Sequence, residues 1–111
     1  MNVVMITGAS SGIGMEFALQ MDNYFDTIDE FWLIARSREH LEEVAKVMLH
    51  KTRIISMDIT DAKKQEALED LMIEKNAIVR VLVNAAGFGI MGPFSEQERM
   101  TAQHKRSIIA I

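Results

Sequence analysis

Short apolar segments alternate along this chain with segments in which apolar residues recur every three or four positions. The short segments lie near 3–6, 31–35, 53–57 and 79–83. Their continuous apolar character is typical of parallel strands that are buried on both faces of a sheet. Because helical patterns separate them, the sequence predicts repeated βαβ units and an α/β fold with a parallel sheet.

Three helices are predicted between the strands, from apolar residues at helical spacing. In chain order, these residues are Ile13, Phe17 and Met21, then Leu41, Val44, Ala45 and Met48, and then Leu68, Leu71 and Met72. A fourth helix is predicted after Pro93, because Ser95 and Glu98 have the spacing of a capping box. One side of that helix would carry Met100, His104, Ile108 and Ile111, so the chain would end within it.

A glycine-rich turn connects the first predicted strand to the first predicted helix. Its glycines are Gly8, Gly12 and Gly14, and the hydroxyl residues beside them are Thr7, Ser10 and Ser11. Glycine lets the backbone turn tightly and approach a pyrophosphate, while the free N–H groups of the following helix point at the negative charge. Three glycines can also form a tight turn with no ligand, but their position between a strand and a helix favours a phosphate site.

The turn differs from the G-x-G-x-x-G fingerprint common in dinucleotide sites and from the phosphate loop of P-loop nucleotidases. A P-loop needs a lysine and a hydroxyl residue after its last glycine, to hold the terminal phosphates and Mg²⁺. Here Ile13 follows Gly12, and Met15 follows Gly14. We therefore do not expect hydrolysis of ATP or GTP.

Composition narrows the possible functions further. The 12 basic and 16 acidic residues give a net charge of −4, without the basic footprint of a nucleic-acid or anionic-membrane surface. The chain has no cysteine, so disulfides are excluded and a cytoplasmic setting is expected. No segment reaches the roughly 18 apolar residues of a membrane-spanning helix. Because His40, His50 and His104 lack the spacing of metal ligands, no metal site is predicted.

Two motifs together resemble the short-chain dehydrogenase/reductase family. The segment Thr7-Gly8-Ala9-Ser10-Ser11-Gly12-Ile13-Gly14 is similar to the family's TGxxxGxG loop, and Asn84-Ala85-Ala86-Gly87 is similar to its NAAG motif after the fourth strand. The resemblance implies a Rossmann-like, doubly wound parallel sheet, truncated to about four strands in the order 3-2-1-4, with helices on both faces. Residues 1–111 would then be an NAD(P)-binding domain that is incomplete at its C-terminal end.

The resemblance also implies a cofactor site. It places Asp58 and Ile59 against the adenine, and it places residues 84–87 beside the cofactor at the fourth strand. The expected cofactor-binding residues are Thr7, Gly8, Ser10, Ser11, Gly12, Ile13, Gly14, Arg36, Asp58, Ile59, Asn84, Ala85, Ala86 and Gly87. Without the resemblance, Asp58 would be interpreted as a turn residue at a strand end and Asn84 as a side chain that caps a carbonyl.

The end of the second predicted strand indicates which cofactor is bound. Sites that choose NAD place a carboxylate there for the ribose 2′-hydroxyl, whereas this strand ends in Ala35-Arg36-Ser37-Arg38. Asp29 and Glu30 precede the strand and should lie at its opposite end. Because the guanidinium of Arg36 can bind a 2′-phosphate, NADP(H) is predicted over NAD(H). Alternatively, the two arginines are solvated residues at the start of the next helix, with Ser37 as its cap.

No catalytic residue can be assigned. The family's catalytic tyrosine, the lysine four residues after it and an upstream serine all lie beyond the NAAG motif, whereas Tyr24 precedes the second strand and is followed four residues later by Ile28. The expected function is the NADP(H)-binding portion of an enzyme that transfers hydride between nicotinamide and a carbonyl or alcohol. This chain is predicted to be inactive alone. The alternatives are a non-catalytic nucleotide-binding module and an inert fragment.

The truncation predicts a further property. A fourth strand without a fifth beside it would leave an exposed apolar sheet edge over Val79-Arg80-Val81-Leu82-Val83. Such an edge can pair with another chain. We therefore expect self-association, through this strand or through the truncated last helix.

Overall fold

Strands and helices alternate over most of the chain, for which a computed structural model describes residues 1–86 and 107–110. The elements are β1 (Asn2–Thr7), α1 (Gly12–Tyr24), β2 (Glu30–Ala35), α2 (Arg38–Lys46), β3 (Lys51–Ser56), α3 (Ala62–Glu74), β4 (Ile78–Asn84) and β5 (Ser107–Ala110). The four predicted strands and the first three predicted helices are all present. Gly87 and the helix predicted after Pro93 lie outside the described residues.

The strands form a single sheet in the order β3-β2-β1-β4-β5, and every neighbouring pair is parallel. The predicted order 3-2-1-4 is therefore confirmed. Strand β1 lies at the centre, and its residues from Val3 to Thr7 are fully buried. This burial explains why the sequence of β1 is apolar without alternation.

Strand β5 was not predicted from the sequence. Residues 107–110 were assigned to the last helix, but they pair with β4 from Val81 opposite Ser107 to Asn84 opposite Ala110. Their consecutive β-branched isoleucines favour an extended chain, and the unpaired N–H and C=O groups of β4 supply hydrogen-bond partners. The prediction that β4 is the sheet edge is wrong over residues 81–84, because β5 pairs with them, so these residues offer no free edge for self-association.

Helices cover both faces of the sheet, as predicted. On one face, α3 contributes Leu68 and Met72 to a core with β-strand residues that include Trp32. On the other face, α1 and α2 pack over a second core that contains Phe31 and Leu41. Because Phe31 and Trp32 are neighbours on β2 and point to opposite sides, both faces are buried in apolar layers.

A bulge sets the register between the two central strands. Val3 lies opposite Val79 and Val4 lies opposite Val81, so Arg80 is the extra residue of β4. The Arg80 Nε donates to Asn2 Oδ1 at 2.9 Å. Beyond the bulge the pairing is regular, and it brings the ends of β1 and β4 to the same level of the sheet.

The predicted apolar face of α1 is confirmed for Phe17 and Met21, which are partly buried against the core, and is wrong for Ile13. Ile13 is 54% exposed, and the buried residues of the helix are Gly14, Ala18 and Asp22. The cause is the close approach of the helix to the glycine turn, because a Cβ on Gly14 would overlap the carbonyl oxygen of Gly8. Small residues therefore face the sheet, and the larger apolar side chains of α1 lie at its flanks.

Asp22 is a buried carboxylate on the apolar side of α1. It accepts hydrogen bonds from the backbone N–H groups of Leu49, at 2.6 Å, and His50, at 2.9 Å, and from His50 Nδ1 at 2.8 Å. Burial raises the pKa of Asp22, but these hydrogen bonds and the imidazole more than offset that effect, so its pKa lies below the usual 3.8. The carboxylate thereby fastens the connection between α2 and β3 to α1.

Replacing Gly14 should be far more damaging than replacing Gly12. In Gly14→Ala the new Cβ meets fixed backbone, so we expect a loss of at least about 3 kcal/mol in the free energy of unfolding. Gly12 has a φ of +56° but open space around it, so Gly12→Ala should lose only about 1–2 kcal/mol. Urea unfolding of both variants measures the difference, and equal losses would contradict the packing described for α1.

Replacing Asp22 by asparagine should destabilise the fold by about 2 kcal/mol at neutral pH, because one amide oxygen cannot replace a carboxylate that accepts three hydrogen bonds. The exposed Asp26 gives the control, and Asp26→Asn should change stability by less than about 0.5 kcal/mol. Because folding lowers the pKa of Asp22, its contribution is complete above its ordinary pKa and is lost as pH falls through the folded value.

Chemical unfolding between pH 7 and pH 2 measures this contribution. The difference between the wild-type chain and Asp22→Asn should be constant at neutral pH and should shrink below about pH 4. A difference that grows toward low pH would show that the ionised carboxylate does not stabilise the fold.

Candidate functional site

A cleft of about 680 Å³ opens at the carboxyl ends of the first four strands. The crevice outside the carboxyl ends of parallel strands is the usual ligand position in open α/β sheets. The lining residues are Thr7, Gly8, Ser10, Ser11, Gly12, Ile13, Ile34, Ala35, Arg36, Ser37, Met57, Asp58, Ile59, Thr60, Ala85 and Ala86. Most of the residues predicted from the sequence are therefore brought together here.

The glycine turn forms one wall of the cleft. The N–H of Gly8 donates to the carbonyl of Ile34 at 2.8 Å, which ties the turn to the end of β2. Gly8 has a φ of +68°, and a Cβ on it would lie 2.7 Å from the carbonyl oxygen of Ala85. Only glycine fits between these two backbone segments, so the turn and the end of β4 form one packed unit.

The amino terminus of α1 faces the cleft through Gly12 and Ile13. Ser11 is the cap residue of this helix, but its side chain makes no capping hydrogen bond, and the first turn carries no acidic residue. The first-turn N–H groups therefore have no partner within the helix, and their positive dipole end is not neutralised. This arrangement suits an anionic group such as a phosphate.

Thr7 and Asn84 join the two central strands. The Thr7 hydroxyl donates to Asn84 Oδ1 at 2.9 Å and accepts from the backbone N–H of Ala85 at 3.2 Å. Thr7 is fully buried, so its hydroxyl serves the packing of β1 against β4. Asn84 and Gly14 do not line the cleft. Both support residues that do line it, because Asn84 binds Thr7 and Gly14 packs against Gly8.

Arg36 and Ser37 form the wall that follows β2. Arg36 is exposed, and its carbonyl accepts a hydrogen bond from Ser56 Oγ at 2.8 Å. The Ser37 oxygen accepts from the backbone N–H of His40 at 3.3 Å, so Ser37 caps α2, as in the alternative interpretation of the two arginines. Arg38 is exposed and does not line the cleft. Ser37 was not among the predicted site residues, although its position next to Arg36 and before a helix could have indicated that it lines the cleft.

The two acidic residues at the start of β2 lie far from this wall, and Glu30, which was predicted to precede the strand, is its first residue. Asp29 Oδ2 accepts from the backbone N–H of Asn2 at 2.6 Å, at the start of β1. Glu30 is buried, and it accepts from Trp32 Nε1 at 2.9 Å and from Arg53 Nε at 3.0 Å. Through these hydrogen bonds, both carboxylates stabilise the amino-terminal end of the sheet. The prediction that they lie opposite the site is confirmed.

A hydrogen-bonded turn after β3 forms the third wall. Asp58 Oδ1 accepts from both the hydroxyl of Thr60, at 2.7 Å, and its backbone N–H, at 2.9 Å. The carbonyl of Asp58 also accepts from the N–H of Asp61 at 3.0 Å. Asp58 is thus a turn residue and a lining residue of the cleft at once. Thr60 was missed in the sequence, although hydroxyl residues two positions after aspartate are typical of such turns.

The cleft carries charges of both signs. The hydrogen bonds from Thr60 hold the pKa of Asp58 below its usual value, and the positive charge of Arg36 acts in the same direction. The carboxylate is therefore ionised at neutral pH. A guanidinium at one wall, a carboxylate at another and a free helix terminus between them suit a ligand that has both anionic groups and hydrogen-bond donors.

The described residues contain neither a cluster of metal ligands nor a membrane-spanning helix. Over residues 1–86 and 107–110, no three His, Asp or Glu side chains are grouped as metal ligands would be. Within the same part of the chain, no helix combines the length and the apolar character that a membrane span requires.

Comparison with known proteins shows which family this chain is similar to. The sequence profile of the short chain dehydrogenase family matches residues 2–109. The uncharacterized oxidoreductase DltE of Bacillus subtilis is 35% identical over 86 residues, which cover 78% of this chain and 32% of that protein. Human retinol dehydrogenase 8 is 34% identical over 95 residues, which cover 81% of this chain and 29% of that enzyme. The chain spans about a third of the length of these relatives.

Solved structures share the fold. A metagenomic short-chain oxidoreductase crystallised in complex with NADP has a TM-score of 0.79 at 21% identity, over 98% of this chain and 61% of the other. Because the family profile matches nearly the whole length of the sequence, this chain belongs to the short-chain dehydrogenase family.

Proposed function

We propose that this chain is the NADP(H)-binding portion of an oxidoreductase that moves a hydride between nicotinamide and a carbonyl or alcohol substrate. The observation that carries the proposal is the cleft at the carboxyl ends of the strands, where the α1 terminus, Arg36 and Asp58 meet. The nicotinamide supplies the hydride when the cofactor is bound. The residues of this chain bind and orient the dinucleotide.

The pyrophosphate is assigned to the start of α1. The N–H groups in the first turn of α1 point at the cleft, and neither an acidic residue nor a side-chain cap binds them. A helix amino terminus of this kind favours negative charge. Ser10 and Ser11 line the same wall and add hydroxyl donors. Gly8 keeps this wall against the end of β4. We assign the nicotinamide side of the cofactor to the neighbourhood of Ala85 and Ala86, at that strand end.

The choice of NADP(H) over NAD(H) rests on the wall after β2. Arg36 is exposed there and can form charge-assisted hydrogen bonds to a 2′-phosphate. The oxygen of Ser37 accepts the capping hydrogen bond, so its own hydroxyl proton remains to be donated. The carboxylates of Asp29 and Glu30, which could serve a ribose 2′-hydroxyl, are engaged at the other end of the sheet.

The adenine is assigned to the turn after β3. Ile59 is half-buried and packs against the apolar core beneath it, so it offers a fixed apolar surface for one face of the base. Asp58 beside it supplies a hydrogen-bond acceptor at the edge of the base. Arg36 and Asp58 lie on different walls, and we place the adenosine between them.

Titration of the 111-residue chain with NADPH and with NADH tests the proposal. We expect NADPH to bind roughly tenfold to hundredfold more tightly, the range for one or two charge-assisted hydrogen bonds to a phosphate. Arg36→Gln should remove most of that advantage and leave the affinity for NADH nearly unchanged. The exposed neighbour Arg38, which does not line the cleft, gives the matched control, and Arg38→Gln should keep the preference.

Isothermal titration calorimetry distinguishes the outcomes. Tighter binding of NADH would contradict the choice of cofactor, and so would equal losses for both dinucleotides in Arg36→Gln. Failure of both dinucleotides to bind a folded chain would contradict the proposed function itself.

A further inference from the structure

We propose that Thr60 is a positioning residue that orients the Asp58 carboxylate, so that the cleft selects a purine with an exocyclic amino group over one with a carbonyl there. The inference deepens the proposed function and rests on it. It assigns base selectivity to a side chain that is not expected to touch the base.

Both hydrogen bonds from Thr60 end on the same oxygen of Asp58. The hydroxyl lies 2.7 Å and the backbone N–H 2.9 Å from Oδ1. Two donors on one oxygen fix the rotation of the carboxylate, because turning it would break both bonds at once. Across the described part of the chain, the other oxygen, Oδ2, has no hydrogen-bond partner, so it remains an acceptor for a ligand in the cleft that Asp58 lines.

The backbone of the turn is held independently of Thr60. The N–H of Asp61 donates to the Asp58 carbonyl at 3.0 Å, and the Gln65 side chain donates to the Ile59 carbonyl at 2.6 Å. Asp61 also caps α3, because its carboxylate accepts from two N–H groups of the first helical turn. Removal of the Thr60 hydroxyl should therefore leave Asp58 Oδ1 with the backbone N–H of residue 60 as its one donor from this turn, which loosens the carboxylate and leaves the course of the chain unchanged.

An ionised carboxylate accepts hydrogen bonds and donates none. The amino group at position 6 of adenine is a donor and suits Oδ2, whereas hypoxanthine carries an oxygen there that repels it. Ionisation is favoured by the Thr60 hydrogen bonds and by the charge of Arg36, which lower the pKa of Asp58. Because Asp58 is exposed, we expect a discrimination of roughly tenfold rather than the far larger factors of fully buried polar sites.

The test compares NADPH with its analogue in which hypoxanthine replaces adenine. Dissociation constants of both are measured for the wild-type chain and for Thr60→Val, Thr60→Ser and Thr52→Val. The wild-type chain should prefer NADPH by roughly tenfold. Thr60→Ser keeps a hydroxyl and should keep the preference. Thr60→Val removes one of the two hydrogen bonds to Oδ1 and should lower the ratio to about threefold, mainly by weakening NADPH.

Thr52 controls for the replacement of a threonine by valine. It lies on β3 near the amino-terminal end of the sheet, opposite Phe31 and away from the cleft. Thr52→Val should leave both affinities unchanged. Thermal melting of each variant shows whether it is folded under the conditions of the titration.

The pH dependence of the ratio separates positioning from general stability. The wild-type preference should persist at neutral pH and disappear as the pH falls through the pKa of Asp58. In Thr60→Val that pKa should rise toward its ordinary value, so any remaining preference should be lost at a higher pH than in the wild-type chain. A purely structural role for Thr60 would not move this profile.

Three results would overturn the inference. One is an unchanged ratio in Thr60→Val, another is an equal loss of affinity for both dinucleotides in that variant, and a third is no discrimination by the wild-type chain. In all three, NADPH binding would still support the proposed function. If the folded wild-type chain bound neither dinucleotide, the proposed function and this inference would both fail.

Discussion

The close backbone packing of the glycine turn is the constraint on which the rest of the structure depends. Gly14 meets the carbonyl of Gly8, and Gly8 meets the carbonyl of Ala85, with no room for a Cβ at either contact. This packing brings α1 down onto the sheet and selects small residues for its buried side. It also holds the helix terminus beside the end of β4. The cleft exists because these three backbone segments meet there.

The polar side chains that line the cleft are held by hydrogen bonds within the turns that follow the strands. Asp58 is oriented by Thr60, while Ser37 caps α2 beside Arg36. These hydrogen bonds cost little to form, because the same turns must satisfy their own backbone groups. The fold and the proposed ligand site therefore share one set of interactions. Among the described residues, the buried carboxylates are Asp22 and Glu30, and protein partners satisfy both.

Much of the fold could be predicted from the sequence, because buried parallel strands are continuously apolar and the helices between them are periodic. The assignment of residues 107–110 was wrong, since a four-residue apolar segment fits either a helix or a strand and a neighbouring strand edge decided between them. On α1 the prediction was wrong for Ile13, because close packing at Gly14 favours small residues at the start of the helix over large apolar ones. Thr60 was missed because its effect passes through Asp58, a contact that motif spacing does not reveal.

The central claim is that a nicotinamide dinucleotide occupies the cleft at the carboxyl ends of the strands. Amide chemical shifts of the ¹⁵N-labelled chain, recorded during titration with NADPH, test it directly. The account predicts shifts in the three walls, at residues 10–13, 36–37 and 58–60, and unchanged resonances at residues 26–30 near the opposite end of the sheet. Shifts confined to residues 26–30, or no shifts at saturating NADPH, would contradict it.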